Sequence, residues 1–116
     1  MKLFIDDIRT PYDETWILAR DAMGANALLD GVDFDTVSFD NDLGDADAPE
    51  GIHVLQRLEE GWVVDGKRKP REIRVHTANS VAKGRMDALL VANGYRKAGS
   101  IAFNTSDTAW VYYFEE

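Results

Sequence analysis

Three short polar clusters follow three apolar runs in this chain, and each carries residues suited to phosphate or metal chemistry. Asp6-Asp7 follows Leu3-Phe4-Ile5, Asp40-Asn41-Asp42-Leu43-Gly44 follows Val37-Ser38-Phe39, and His76-Thr77-Ala78-Asn79 follows Ile73-Arg74-Val75. Hard divalent cations such as Mg2+ or Mn2+ take oxygen ligands and keep open positions for phosphate oxygens. Asp6, Asp7 and Asp40 are the candidate ligands, with Asp42 as a further one and a backbone carbonyl near Asn41 or Asp42 as an additional ligand. Arg9, Asn41, Thr77 and Asn79 are candidates for holding phosphate, Arg9 through charge-assisted hydrogen bonds. Asp40 and His76 are the candidate catalytic groups, His76 as an acid or base. A metal there would polarise a phosphoryl oxygen or generate hydroxide from water. Each element also has a plainer reading. An Asp-Asp pair can cap a turn, Asn79 can cap a helix, and a lone histidine after a strand can be a hydrogen-bonded core residue. Their convergence is what favours function.

The elements that would bring them together follow from periodicity. Leu3–Ile5, Trp16–Arg20, Thr36–Phe39 and Glu72–His76 read as strands. Asp21 caps a helix carrying Ala22, Ala25, Leu28 and Leu29 with Gly31 at its end, in preference to one helix from Glu14 to Asp30. Ile52, Leu55, Leu58 and Trp62 recur at helical spacing. Asn79 or Ser80 caps a third helix with Ala82, Met86, Leu89 and Leu90 inward, closed by Asn93-Gly94. IAFN and AWVYYF, joined by the polar run Thr105 to Thr108, read as a hairpin. Strands alternating with helices imply an α/β domain spanning residues 1–116, its sheet mostly parallel and its last strand antiparallel at an edge. Ligands of such sheets sit beyond the carboxyl ends of the strands, where all three polar clusters fall.

Bulk properties narrow the function classes. A formal net charge of −8 opposes broad nucleic-acid binding. Between Asp30 and Glu50 there are eight carboxylates and no Lys or Arg, either a solvated loop or one that a cation neutralises. The lack of cysteine excludes disulfides and thiolate zinc and suits a cytoplasmic protein. No apolar run has the length of a membrane span, and MKLFIDD turns acidic too early for a signal-peptide core. An EF-hand loop begun at Asp40 places Asp45 where glycine is needed and Gly51 where glutamate is needed. No dinucleotide, P-loop or nucleophile-elbow motif is present.

Together LFIDD, VSFDNDLG and VHTAN resemble the receiver domain of response regulators. There an acidic pair follows the first strand, a phospho-accepting Asp ends a central strand, and Thr/Ser-Ala follows the next. The likeness is closer to the cyclic-phosphate processing receiver domains. Asp6-Asp7-Ile8-Arg9-Thr10-Pro11 is similar to their Asp-Asp-x-Arg-x-Pro box, Asp40 to Gly44 to their Asp-His-Asp-Leu-Gly box, and His76 to Asn79 to their His-Ser-Ala-Asn box. Trp16 with Arg20 is similar to their second strand, so the likeness covers about residues 2–95. It implies a three-layer receiver-like (flavodoxin-like) domain and action on cyclic phosphates such as those of nucleotides, sugar nucleotides or RNA ends. The short span from Asp7 to Asp40 implies that the first receiver helix is lacking, and a C-terminal β-hairpin at the edge replaces the last one. Asn41 stands where that family has histidine, and Lys97 is a poor substitute for the receiver's last-strand lysine.

Two functions follow as expectations. One is a metal-dependent phosphoesterase acting on a small phosphorylated or cyclic-phosphate substrate, with Asp40 as metal ligand or nucleophile. The other is a non-catalytic module that binds a phosphorylated ligand, or a protein partner through the aromatic hairpin. A purely structural reading of the acids predicts no specific metal binding.

Overall fold

A computed structural model describes residues 1–44, 47–102 and 108–115. The order of elements is β1 (Lys2–Ile5), β2 (Trp16–Ala19), α1 (Ala22–Gly31), β3 (Thr36–Phe39), α2 (Gly51–Val64), β4 (Glu72–Val75), α3 (Ser80–Ala92), β5 (Arg96–Ala102) and β6 (Thr108–Tyr113). The segment Trp16–Gly31 is thus a strand and then a helix. The Asp21 carboxylate caps α1 by accepting the Gly24 N–H at 2.7 Å, and Asn79 caps α3 by accepting the Ala82 N–H at 3.0 Å. Gly94 closes α3 at φ +88°, a conformation that favours glycine.

The six strands run in the order β2-β1-β3-β4-β6-β5. The first four are mutually parallel, and β6 is antiparallel to both β4 and β5. The hairpin therefore lies at the edge, but the last strand does not: β6 is internal, and β5 is the outermost strand. Hydrophobicity explains the choice. Tyr112 is fully buried in β6, whereas every residue of β5 is exposed. Phe103, Asn104 and the expected turn at 105–107 lie outside the described residues, as does Asp45.

The helices pack side by side, α1 on α2 and α2 on α3. They cover the sheet face that carries Leu3, Ile5, Val37, Phe39, Ile73 and Val75, all fully buried in one apolar cluster. Alternation along the strands sends Phe4, Trp16, Ser38 and Arg74 to the opposite face. Among the described residues no helix forms between β1 and β2, so the first receiver helix is indeed lacking. The third layer is instead an aromatic cover from residues 6–15. The Tyr12 ring meets Phe4 edge-on at 5.7 Å and Trp16 at 5.0 Å, and the Arg74 guanidinium lies 4.8 Å from the Tyr12 ring.

Candidate metal and phosphate site

The backbone ladder continues one residue past each parallel strand and so aligns the polar clusters. Asp6 N–H donates to Ala19 C=O at 3.1 Å, Asp40 N–H to Ile5 C=O at 2.9 Å, and His76 N–H to Phe39 C=O at 3.0 Å. Because Ile5, Phe39 and Val75 are in register, Asp6, Asp40 and His76 follow them onto one sheet edge. Asp6, Asp7 and Asp40 converge there, with one carboxylate oxygen of each within 4.8 Å of the others. Asp6 and Asp40 are buried and Asp7 is half-buried. Three hard oxygen donors at this spacing fit a divalent cation.

Asp6 is the most tightly held of the three. Its Oδ1 accepts the Ile8 and Arg9 N–H groups at 3.0 and 2.9 Å, and its Oδ2 lies 3.0 Å from His76 Nε2. Burial alone would raise its pKa. The hydrogen bonds from His76 and from the Arg9 and Ile8 amides outweigh burial and lower it to about 2. Asp40 shifts the other way: burial and the neighbouring Asp6 charge raise it, against the smaller pull of His76, the Asn41 amide and Arg9. Like charge crowded at a buried edge is what a bound cation would relieve.

Arg9 closes over this group, with Nη1 at 3.4 Å from Asp6 Oδ2 and 3.8 Å from Asp40 Oδ1. Arg20 secures that turn by donating to the Arg9 carbonyl at 2.7 Å and the Asp6 carbonyl at 3.4 Å. Thr77 is buried beside His76, and its Oγ1 accepts the Asn79 N–H at 3.1 Å. The Asn79 side-chain oxygen, Oδ1, is taken up by its helix-capping role.

Two residues differ in posture from the chemistry expected of them. His76 is 1% exposed, stacked on Phe4 with centroids 4.7 Å apart. Its Nε2 faces Asp6 and its Nδ1 lies 2.7 Å from Ser38 Oγ, which in turn lies 2.9 Å from Tyr12 Oη. With Asp6 ionised, the Nε2 proton points to the carboxylate. In the neutral ring Nδ1 then accepts from Ser38, and Ser38 accepts from Tyr12. His76 therefore reaches the carboxylate group through Asp6 rather than as a free acid or base. Asn41 is fully buried and turned toward α2: its Oδ1 accepts the Ile52 N–H at 3.1 Å, its amide donates to Glu50, and its carbonyl accepts the Gly51 N–H at 2.8 Å. Its side chain ties the acidic loop to the helix and is not brought to the three grouped carboxylates, although its backbone N–H donates to Asp40 Oδ1 at 2.8 Å. Asp42 is exposed, and its side chain accepts from the Asn41 amide at 3.4 Å; it is not among the three grouped acids.

Other contributors carried no signal of spacing. Gly51 packs so closely that a Cβ there would lie 1.8 Å from the Asp40 carbonyl oxygen. Gly44, at φ +104°, donates its N–H to Asp7 at 3.1 Å and holds the acidic loop to the end of β1. Ser38 lies in β3 and Tyr12 in the loop before β2, where no motif marks either of them. His53, exposed on α2, accepts the Glu50 N–H at 2.9 Å as part of the helix cap. Lys97 lies on the edge strand, its Nζ 3.3 Å from the centre of the Trp110 ring.

The strand order, the parallel core and the carboxylates at its carboxyl edge define a receiver-like α/β domain. The family model for the cyclic-phosphate processing receiver domain matches residues 1–92, and the chain belongs to that family. That span takes in all three polar clusters. Comparison with curated proteins and with solved structures returned no match.

Proposed function

We propose that this protein is a divalent-metal-dependent phosphoesterase that opens a cyclic phosphate of a nucleotide, a sugar nucleotide or an RNA end. The convergence of Asp6, Asp7 and Asp40 carries this reading, and membership of a cyclic-phosphate processing family supports it. These three carboxylates would hold Mg2+ or Mn2+. Since the Asn41 carbonyl is engaged by Gly51, the Asp42 carbonyl is the better backbone donor of the two. When bound, the metal would supply Lewis-acid polarisation of a phosphoryl oxygen. Arg9 would meet the phosphate from beside Asp6 and Asp40, and the Thr77 hydroxyl would donate to it from the neighbouring strand end. His76 would act by orienting Asp6. Asp40 is metal ligand or nucleophile in this scheme. No helix among the described residues is long and apolar enough to cross a membrane, and a cytoplasmic location is part of the proposal.

Phosphorus NMR tests it directly. Purified protein with Mg2+ or Mn2+ should convert one member of a panel of cyclic phosphates to a monoester, and chelator should stop the reaction. A panel left intact in the presence of a saturating metal would overturn the enzymatic reading.

A second reading, a non-catalytic binder of a phosphorylated ligand, is favoured by the posture of Asn41 and His76. One is turned to α2 and the other has both ring nitrogens engaged. The uncovered β5 edge would then be where a protein partner docks. Ligand-induced phosphorus shifts without turnover would select this reading.

A further inference from the structure

Basic residues are as unevenly placed as acidic ones. Lys67, Arg68, Lys69 and Arg71 are four of the chain's 13 Lys and Arg, gathered within five positions around Pro70. They join α2 to the start of β4, at the amino edge of the parallel strands and so opposite the carboxylates. The antiparallel β6 brings Phe114 and Glu115 to the same edge. Between them lies an open hollow of about 300 Å³ lined by Arg68, Lys69, Arg71, Phe114 and Glu115. An adjoining hollow shares Arg68, Lys69 and Phe114 and extends to Trp62.

A run of like charges is ordinarily solvated and without fixed shape. This one has its backbone pinned along its length. Lys67 N–H donates to Gly61 C=O at 3.0 Å, the buried Tyr95 hydroxyl donates to Pro70 C=O at 2.6 Å, and Phe114 N–H donates to Arg71 C=O at 2.9 Å. Among the described residues these charges are little neutralised in return: Arg68 has an exposed contact to Asp35 at 3.5 Å, and Glu115 is directed to Arg96 at 3.6 Å. Lys67, Lys69 and Arg71 form no ion pair among the described residues. Beneath them Trp62, Tyr95 and Phe114 pack in series, with centroids 5.7 and 5.5 Å apart, and Lys69 Nζ lies 4.5 Å from the Phe114 ring. Trp62 is only 6% exposed, yet its indole N–H has no hydrogen-bond partner among the described residues.

Exposed cations on a backbone-pinned segment, set beside an aromatic ledge, suit an anion that carries a flat ring. We infer that this hollow binds a nucleoside phosphate, its phosphate on Arg68, Lys69 and Arg71 and its base against Phe114. The volume is at the lower end of the range for small-ligand sites, and a net charge of −8 opposes a long polyanion. The site is separate from the carboxylate cluster and stands whether or not that cluster is catalytic.

The test is titration of the whole protein with AMP in metal-free buffer, followed by calorimetry and by amide and indole NMR. Saturable binding should shift resonances of residues 67–71, Phe114 and the Trp62 indole, and inorganic phosphate should compete. The double variant Arg68→Glu/Arg71→Glu, at two exposed positions, should lose affinity by about tenfold or more, while Asp40→Asn should bind as the parent does. The inference is overturned by the absence of saturation at millimolar AMP or by wild-type shifts confined to the carboxylate edge. Unchanged affinity in the double variant, loss of binding in Asp40→Asn, or binding of an RNA oligomer where AMP does not bind would equally overturn it.

Discussion

His76 Nε2 lies 3.0 Å from Asp6 Oδ2 with both side chains sealed from solvent, and this pairing governs how the carboxylate edge behaves. It holds one acid firmly ionised while leaving its neighbour Asp40 under repulsion.

Removing the imidazole should expose the dependence of Asp6 upon it. His76→Ala loses a buried ring stacked on Phe4 and leaves a carboxylate and a hydroxyl without their partner. A cost of about 3 kcal/mol in urea unfolding is expected. Ser38→Ala should cost roughly 1–2 kcal/mol, and a double-mutant cycle should show the two residues coupled. Independent, additive effects would mean that the Ser38–His76 contact does not fix the ring.

Asp40→Asn should stabilise the metal-free protein, on the order of 1 kcal/mol, because it removes a desolvated charge beside Asp6. The Asn41 N–H keeps an acceptor in the new amide oxygen. The same variant should lose most of the rise in melting temperature that Mg2+ or Mn2+ confers on the parent. Thermal melts with and without metal measure both effects. A variant that melts lower without metal and still responds to it would exclude Asp40 from the site.

The pH dependence of stability carries opposite signs at the two acids. The Asp6 carboxyl is lowered from 3.8 to about 2. Its contribution is therefore complete above pH 4 and is lost as pH falls toward 2, on the order of 1–2 kcal/mol after screening. Asp40 is raised, so the folded state takes up its proton more readily, and acidification through that pKa favours folding. The parent should thus resist mild acid and lose stability steeply only below pH 4. Asp40→Asn should keep the steep loss and lack the earlier gain. Denaturant midpoints across pH would show it, and identical profiles for the two proteins would refute the assignment.

Two glycines on helices should respond oppositely to alanine. Gly51→Ala drives a methyl into the Asp40 carbonyl, 1.8 Å away, so a loss of about 2–3 kcal/mol is expected, with weakened metal binding as Asp40 is displaced. Gly84 lies within α3 with nothing within 4 Å of its added methyl. Gly84→Ala should stabilise by roughly 0.5–1 kcal/mol. Chemical denaturation and a metal titration of both variants decide the matter; equal behaviour would mean that Gly51 is not tightly packed.

Much of this was legible in the sequence because it depends on local period and local chemistry. The apolar runs at Leu3–Ile5, Thr36–Phe39 and Ile73–Val75 specify strands whatever surrounds them. Asp21, Asn79 and Gly94 mark helix ends through hydrogen bonds or φ values that involve only near neighbours. The placement of Asp6, Asp40 and His76 at strand ends follows from the same runs. Register alone then brings Asp6 and Asp40 to one edge.

Tertiary structure decided what those residues do. Whether β5 or β6 lies inside depends on which one buries its side chains against β4 and α3, a comparison that no local window contains. The direction of the Asn41 and His76 side chains depends on partners far along the chain: Glu50 and Ile52 for one, Ser38 and Asp6 for the other. The same holds for Gly51, whose need for glycine is set by the Asp40 carbonyl, and for Tyr12, which covers a sheet face left without a helix. Sequence determined which groups reach the edge, through the period of the strands. Only long-range packing determined which of them face a ligand and which hold the others in place.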